Sequence, residues 1–261
     1  MVTFFDDQQK LSSGKPGCRF DISGLVFGPD EQQINFFKKI IEKHNVNTVL
    51  DVFCENPDLA ILLARWGKTV TALVPEPVLK RKIGTKSDRA GVRLNACLGD
   101  MRDIYNLYHK QCDLIVCLQN SLALLLNKED IWGTLAQMYL KLEPGGVLVI
   151  HTFNYDRLLK AVDSAAPVLS WQHRGLKIKL LFKQDKGGDS ADLIFKVFPE
   201  GVPGGQKIVY PVWPILTKEL NLWLAELGFE KIKNYDWYDG KTFTCNGYHR
   251  ITVACRPDAA E

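Results

Sequence analysis

The side chain best suited to proton transfer is His151, near the end of the apolar run Val147-Leu-Val-Ile-His-Thr-Phe153. Imidazole titrates near neutrality, so a histidine where a strand meets a ligand can serve as a general base. A histidine in so apolar a run equally suits a hydrogen-bonded core position. No second group completes a reactive set around it. The chain has no GxSxG elbow, no phosphate-cradling GxxxxGK[ST] loop and no HExxH. The seven cysteines (Cys18, Cys54, Cys97, Cys112, Cys117, Cys245 and Cys255) are widely spaced and form no CxxC pair. Several lie in apolar runs, as buried free thiols do, so a reducing, cytoplasmic setting and no metal centre are expected.

The elements that must position His151 alternate. After a turn-rich segment over 1–28, Gly28 precedes a helix with Pro29 in its first turn and Ile34, Phe37, Ile40 and Ile41 on one face. Thr48–Phe53 reads as a buried strand, and a helix carrying Leu59, Leu62, Leu63 and Trp66 follows. Further strands are expected at Thr69–Val74, Val92–Ala96, Asp113–Leu118 and Val147–Phe153. Helices between them include one from Asn127 to about Lys141, and Pro144-Gly145-Gly146 turns the chain into the last of these strands. Strand–helix alternation implies a parallel sheet with helices on both faces. The last third differs: Lys177–Gln184 and Ala191–Phe198 alternate like strands, with Asp185-Lys-Gly-Gly188 as the turn. A helix over Thr217–Leu227, stopped by Gly228, precedes strands at Glu230–Trp237 and Tyr248–Cys255.

This order, ending in a helix and two strands, resembles the class I SAM-dependent methyltransferases. The supporting strings are Val49-Leu-Asp-Val-Phe-Cys-Glu-Asn-Pro-Asp-Leu-Ala60, Gly99-Asp-Met-Arg102, Cys117-Leu-Gln-Asn-Ser-Leu122 and Leu140-Lys-Leu-Glu-Pro-Gly-Gly-Val-Leu148. Thr152-Phe-Asn-Tyr-Asp-Arg157 is similar to small-molecule N-methyltransferases that act on glycine or aminosugars. Each string alone has a plain reading as a turn or a cap; together and in order they are hard to explain otherwise. The resemblance implies a Rossmann-like α/β fold: a seven-stranded, mostly parallel sheet with an antiparallel edge strand. It further implies an N-terminal segment over 1–28, a SAM-binding core over 29–155, a β-rich insertion or lid over 156–212, and a helix and two strands over 213–261 completing the core.

The same resemblance exposes two departures. S-adenosylmethionine (SAM) lies across the carboxyl ends of such strands, where the family keeps three glycines in its first loop. Here Phe53, Glu55 and Pro57 stand instead. A non-glycine residue at left-handed φ costs about 1–2 kcal/mol, and proline cannot go there, so a loop of different shape is expected. Val74 occupies the place of the acid that binds the ribose; Glu76, two residues on, reaches back or opens the next helix. The resemblance leaves Asp51, Glu55, Glu76, Asp100, Met101, Gln119 and Asn120 as cofactor-side candidates, with Asp100 toward the adenine amino group. His151 and Tyr155 are the candidates on the reaction side, and His151 and Asp100 are expected to face one cavity.

The chain lacks the Asn-Pro-Pro-Tyr and Pro-Cys signatures of nucleic-acid methyltransferases. Its net charge is only +3 with scattered cations, and no segment reaches roughly 18 apolar residues. Neither nucleic acid nor a membrane is expected as a partner. Three functions remain open at this point. One is methylation of a small molecule at N or O through an altered SAM site, with Tyr155, Trp171, Tyr210 and Trp213 lining the lid. Another is a catalytically inactive pseudo-methyltransferase that serves as a partner or regulatory subunit, with another protein or a second copy. The third is a different ligand with different chemistry.

Overall fold

The computed structural model describes residues 29–161, 167–173, 175–184, 189–200, 205–244 and 246–259. The expected segment over 1–28 and the turn over 185–188 lie outside them. Asp30 caps the first helix, α1 (Glu31–Lys43), by accepting the Gln33 N–H at 2.7 Å. Strand β1 (Thr48–Val52) is followed by α2 (Asp58–Arg65), β2 (Thr69–Val74), α3 (Pro77–Ala90) and β3 (Asn95–Leu98). A short helix α4 (Ile104–Leu107) leads to β4 (Cys112–Cys117), and α5 (Lys128–Lys141) leads to β5 (Leu142–Phe153). Asn127 caps α5 by accepting the Asp130 N–H at 2.7 Å, as its residue type predicts.

After α6 (Tyr155–Leu158) come β6 (Leu169–His173), β7 (Leu176–Gln184), β8 (Ala191–Pro199) and β9 (Gln206–Val212). Helix α7 (Thr217–Glu226) and strands β10 (Glu230–Tyr235) and β11 (His249–Cys255) finish the described chain. The main sheet has seven strands in the order β10-β11-β5-β4-β1-β2-β3. Strand β11 runs antiparallel to both β10 and β5; the other neighbours are parallel. The sheet is therefore mostly parallel with its antiparallel pairing at one edge, as expected, and the reversed strand β11 lies one place in from that edge. Strand β1 is interior, between β4 and β2, and β4 is the middle strand.

Three boundaries differ from the expectation for local reasons. Strand β3 starts at Asn95, because Gly91 at φ 65° ends α3 and Val92 still bonds back to Ser87. Pro144–Gly146 lies within the span of β5, where the register against β4 jumps from Cys112↔Leu142 to Leu114↔Val147. Phe53 leaves β1 because its backbone is left-handed.

The second sheet, β6-β7-β8-β9, is antiparallel throughout. It does not stand apart. Ile178, Leu180, Phe182, Leu193, Phe195 and Val197 are buried in the same core as Ile131, Leu135 and Met138 of α5 and Leu220 and Leu224 of α7. The opposite face of the main sheet is covered by α1, α2 and α3 through Phe36, Phe37, Leu59, Leu63 and Ile83. Apolar side chains on both faces of the parallel strands explain their nearly unbroken hydrophobic sequences.

Candidate functional site

Backbone strain collects at one end of the main sheet. Five non-glycine residues among those described have positive φ, and three of them follow the carboxyl ends of the adjacent strands β1 and β4: Phe53 (62°), Gln119 (59°) and Asn120 (66°). Such conformations cost of order 1 kcal/mol or more each and persist where surroundings enforce them, typically at functional sites. The surroundings here are visible for Asn120. Its N–H donates to the His151 carbonyl at 2.9 Å, and its Oδ1 accepts the Phe153 N–H at 3.0 Å. Its Nδ2 donates to the Tyr155 hydroxyl at 2.9 Å. Asparagine tolerates this conformation better than most residues, and its amide ties the end of β4 to β5 and α6.

Pro29, Gln33, Asp51, Phe53, Cys54, Asn56, Leu59, Leu118 and Gln119 line a cleft at this end of the sheet. It encloses about 330 Å³ of space, part of it open to solvent, of which about 10 Å³ is wide enough for the centre of a water molecule. That margin holds roughly one water. Asp51 is buried on β1 and shares a hydrogen bond with Cys54; burial raises its carboxyl pKa to about 7, against a smaller downward pull from that bond. Burial, and then the neighbouring Asp51, pushes the Cys54 thiol well above its usual range, so it is a poor nucleophile.

The loop departs from the expected shape at one point and keeps it at another. Phe53 takes the left-handed backbone of a glycine despite its ring. Pro57 caps α2 at φ −80° with no side-chain bond, while its carbonyl accepts the Ile61 N–H at 2.8 Å. Between them, Asn56 Oδ1 accepts the Asp58 N–H at 3.2 Å, and its Nδ2 is buried without a partner among the described residues.

His151 is 1% exposed and lies on the α1 side of the sheet. Its Nε2 is 3.1 Å from His249 Nδ1, and its Nδ1 is 3.3 Å from the Tyr238 hydroxyl. Trp237 packs edge-on against it with ring centroids 5.4 Å apart. Burial, followed by the neighbouring His249, holds the His151 pKa well below normal; burial lowers His249 to about 4. Both rings are neutral at pH 7.

The other expected residues are dispersed. Asp100 caps a single 3-10 turn and pairs with Arg102 at 2.7 Å; that bond draws its pKa down. Asp100 is half-exposed, His151 is buried, and neither lines this cleft. Met101 is buried in the main core. Glu76 sits at the N-cap of α3, as an acid beside a helix dipole should. Tyr155 is fully buried with its hydroxyl on Asn120, and burial pushes its pKa up. Of the expected set, Asp51 and Gln119 reach the cleft, and Glu55 is half-buried between its lining residues Cys54 and Asn56. Sequence reasoning missed Asn56, Gln33 and the His249–Tyr238 contacts to His151. Asn56 was legible as a turn former just before a helix; the others depend on tertiary packing.

A methyltransferase-domain family model matches residues 49–146, which span β1 to the start of β5. A glycine/sarcosine N-methyltransferase from Parasynechococcus marenigrum (strain WH8102) is 23% identical over 208 residues, covering 80% of this chain and 72% of that protein. A glycine/sarcosine/dimethylglycine N-methyltransferase from Actinopolyspora halophila is 25% identical over 206 residues; the match covers 78% of this chain and 35% of that protein. The fold matches an S-adenosylmethionine-dependent methyltransferase from Clostridium acetobutylicum ATCC 824 with a TM-score of 0.75 at 12% identity, covering 98% of this chain and 100% of that one.

Proposed function

We propose that this chain, whose fold and sequence resemblance are those of the class I SAM-dependent methyltransferases, methylates a nitrogen on a small molecule and uses an altered cofactor cleft. The observation that carries the reading is the backbone of Phe53. The loop keeps a glycine-like left-handed turn at φ 62° where glycine itself is gone, and strained turns of this kind cluster at ligand sites. The N-methyltransferase relatives support the reaction class.

When bound, SAM supplies an electrophilic methyl group. The residues present suit a cationic amino-acid ligand: Asp51 and Gln119 offer oxygen acceptors, and Asn56 offers an unpaired donor. Phe53 must turn aside to admit a nucleoside, since the free space is little more than one water wide. His151 acts through position and not as an exposed base, because it is neutral, buried and bonded on both nitrogens' sides. Methyl transfer to a neutral amine depends mainly on proximity and in-line alignment, so no base is required of it. Residues 29–155 and 213–261 form the transferase core in this reading. The sheet within 156–212 covers the substrate, with the half-buried Trp171, Tyr210 and Trp213 facing the shared core.

The test is calorimetric titration of the purified chain with SAM and S-adenosylhomocysteine, followed by mass-spectrometric screening of small amines. Saturable binding of both, with methylated product from at least one amine, is expected. No binding of either at several millimolar ligand would refute the reading and leave a non-catalytic partner role.

A further inference from the structure

We propose that the outer face of the second sheet docks an acidic, amphipathic segment of a partner protein. The proposal stands on that sheet alone and goes beyond the transferase reading. Strands β6 to β9 carry five lysines (Lys177, Lys179, Lys183, Lys196 and Lys207) and a single acid, Asp192. Side chains alternate between the two faces of a strand, and the inner face is taken by Ile178, Leu180, Phe182, Leu193, Phe195 and Val197. All five lysines therefore point outward; Lys177, Lys183 and Lys207 are exposed, and Lys179 and Lys196 are half-buried. Cations scattered along the chain are gathered by the register. Lys179 pairs with Lys196, and Lys196 with Lys207, so three lysines stand in one row across three neighbouring strands. Strands lie about 4.8 Å apart, so the row sets three cations within about 10 Å. No ion pair among the described residues involves any of the five.

Like charges directly opposite one another destabilise a sheet, so folding alone gives no reason for lysine at all three positions. The next row shows what the cations complement. Leu181, Ile194 and Val209 pair across the same three strands, and Val209 is 42% exposed. Beyond them Lys183 stands opposite Asp192. An apolar strip thus runs between the lysine row and a further lysine. Its complement is a segment with a few apolar side chains flanked by carboxylates. A nucleic acid fits less well, because bases need open aromatic faces to stack on. Phe198, the one aromatic on this face among the described residues, has the Lys179 ammonium 5.5 Å from its ring centre. A second copy fits worse still, since this face set against itself brings lysine onto lysine.

The experiment titrates the full chain into labelled probes and reads fluorescence anisotropy. The probes are a peptide with a Leu-Val-Leu centre flanked by glutamates, the same peptide with glutamine for glutamate, oligouridine, and phosphatidylserine vesicles. The glutamate peptide should bind saturably, with a Kd that rises at least about fivefold between about 0.05 and 0.3 M salt. Lys196→Glu should weaken that binding at least about tenfold. It also turns two repulsive cross-strand pairs into attractive ones, so its Tm should rise by about 1–3 °C. Lys207→Glu, at an exposed position, should show the same loss of binding should the first variant fail to fold. No binding of the glutamate peptide, or equal binding of the glutamine peptide, would overturn the assignment. So would tighter binding of oligouridine or of the vesicles, which would name a different partner. Unchanged peptide affinity in the variants, or a lowered Tm in a folded Lys196→Glu protein, would overturn it too, the last by showing that the fold itself needs the lysine row. None of these outcomes bears on the transferase reading.

Discussion

Replacing Asp51 with asparagine should stabilise the protein, and by an amount that grows with pH. Asp51 is fully buried, and its pKa stands near 7 in the folded chain against about 3.9 for an unfolded aspartate. The folded carboxyl therefore keeps its proton between about pH 4 and 7 while the unfolded one has lost it. The unfolded state binds fewer protons over that window, so stability falls as pH rises, with a limiting slope near 1.4 kcal/mol per pH unit. Over about three units the loss is on the order of 4 kcal/mol, and it is complete above pH 7. Asparagine is the neutral isostere, so Asp51→Asn should match the parent near pH 4.5 and exceed it by a few kcal/mol at pH 8. For a chain of 261 residues that is roughly 8–15 °C in Tm. Thermal melts of both proteins from pH 4.5 to 8.5 measure it, and taking the difference cancels the titration of other groups. A difference that does not vary with pH, or one that shrinks as pH rises, would show that Asp51 is ionised in the folded state and that the reasoning fails.

The histidine pair carries the opposite sign: His151 and His249 are neutral when folded, so the unfolded chain binds more protons below about pH 6.5 and stability drops as pH falls toward 4. His249→Phe should flatten that acid limb in urea titrations, and an unchanged limb would count against it. Asn120→Ala should destabilise by about 2–4 kcal/mol, through lost hydrogen bonds and the strain of alanine at φ 66°, while Asn120→Gly should recover about 1 kcal/mol of it. SAM binding by the unmodified chain should be weak, in the high micromolar range or worse; combining Phe53→Gly, Glu55→Gly, Pro57→Gly and Val74→Asp should tighten it at least about tenfold in calorimetry. Low-micromolar binding by the unmodified chain would refute that account of the loop.

The sheet was legible because its strands are buried on both faces and its helices keep one apolar stripe. Val49, Leu50 and Val52 on β1, or Val147 to Ile150 on β5, can only be interior strands. The antiparallel second sheet was legible in the alternation of Lys177–Gln184 and Ala191–Phe198, which pair residue for residue. The site was less legible, because its members were judged by residue type and the fold assigns them by direction. Asp100 follows β3 into a half-exposed turn where Arg102 claims it, and Met101 points into the core. Tyr155 was readable as an aromatic near the substrate, yet its hydroxyl is spent on holding Asn120. His151 was readable as either base or core residue, and only the register of β11 brings His249 against it. Asn120 and His249 lie 35 and 98 residues from the side chains they bind, so no local pattern could reveal them.

In the proposed reading, the residues at 53, 55 and 57 bear on the filling of the cleft more than on its frame. A glycine at 53 would adopt φ 62° without strain and leave open space above it; phenylalanine adopts the same angle and brings a ring. The ring packs against the main core, which offsets part of the backbone cost. Across the cleft, Gln119 and Asn120 hold two successive left-handed residues, and there the offset is polar: Asn120 is bound to the His151 carbonyl, the Phe153 N–H and the Tyr155 hydroxyl. The end of β1 is thus held by packing that a side-chain rotation can release, and the end of β4 by hydrogen bonds that must all break together. Movement that admits a ligand should therefore occur on the β1 side, at Phe53 and Asn56, with the β4 side as the fixed wall.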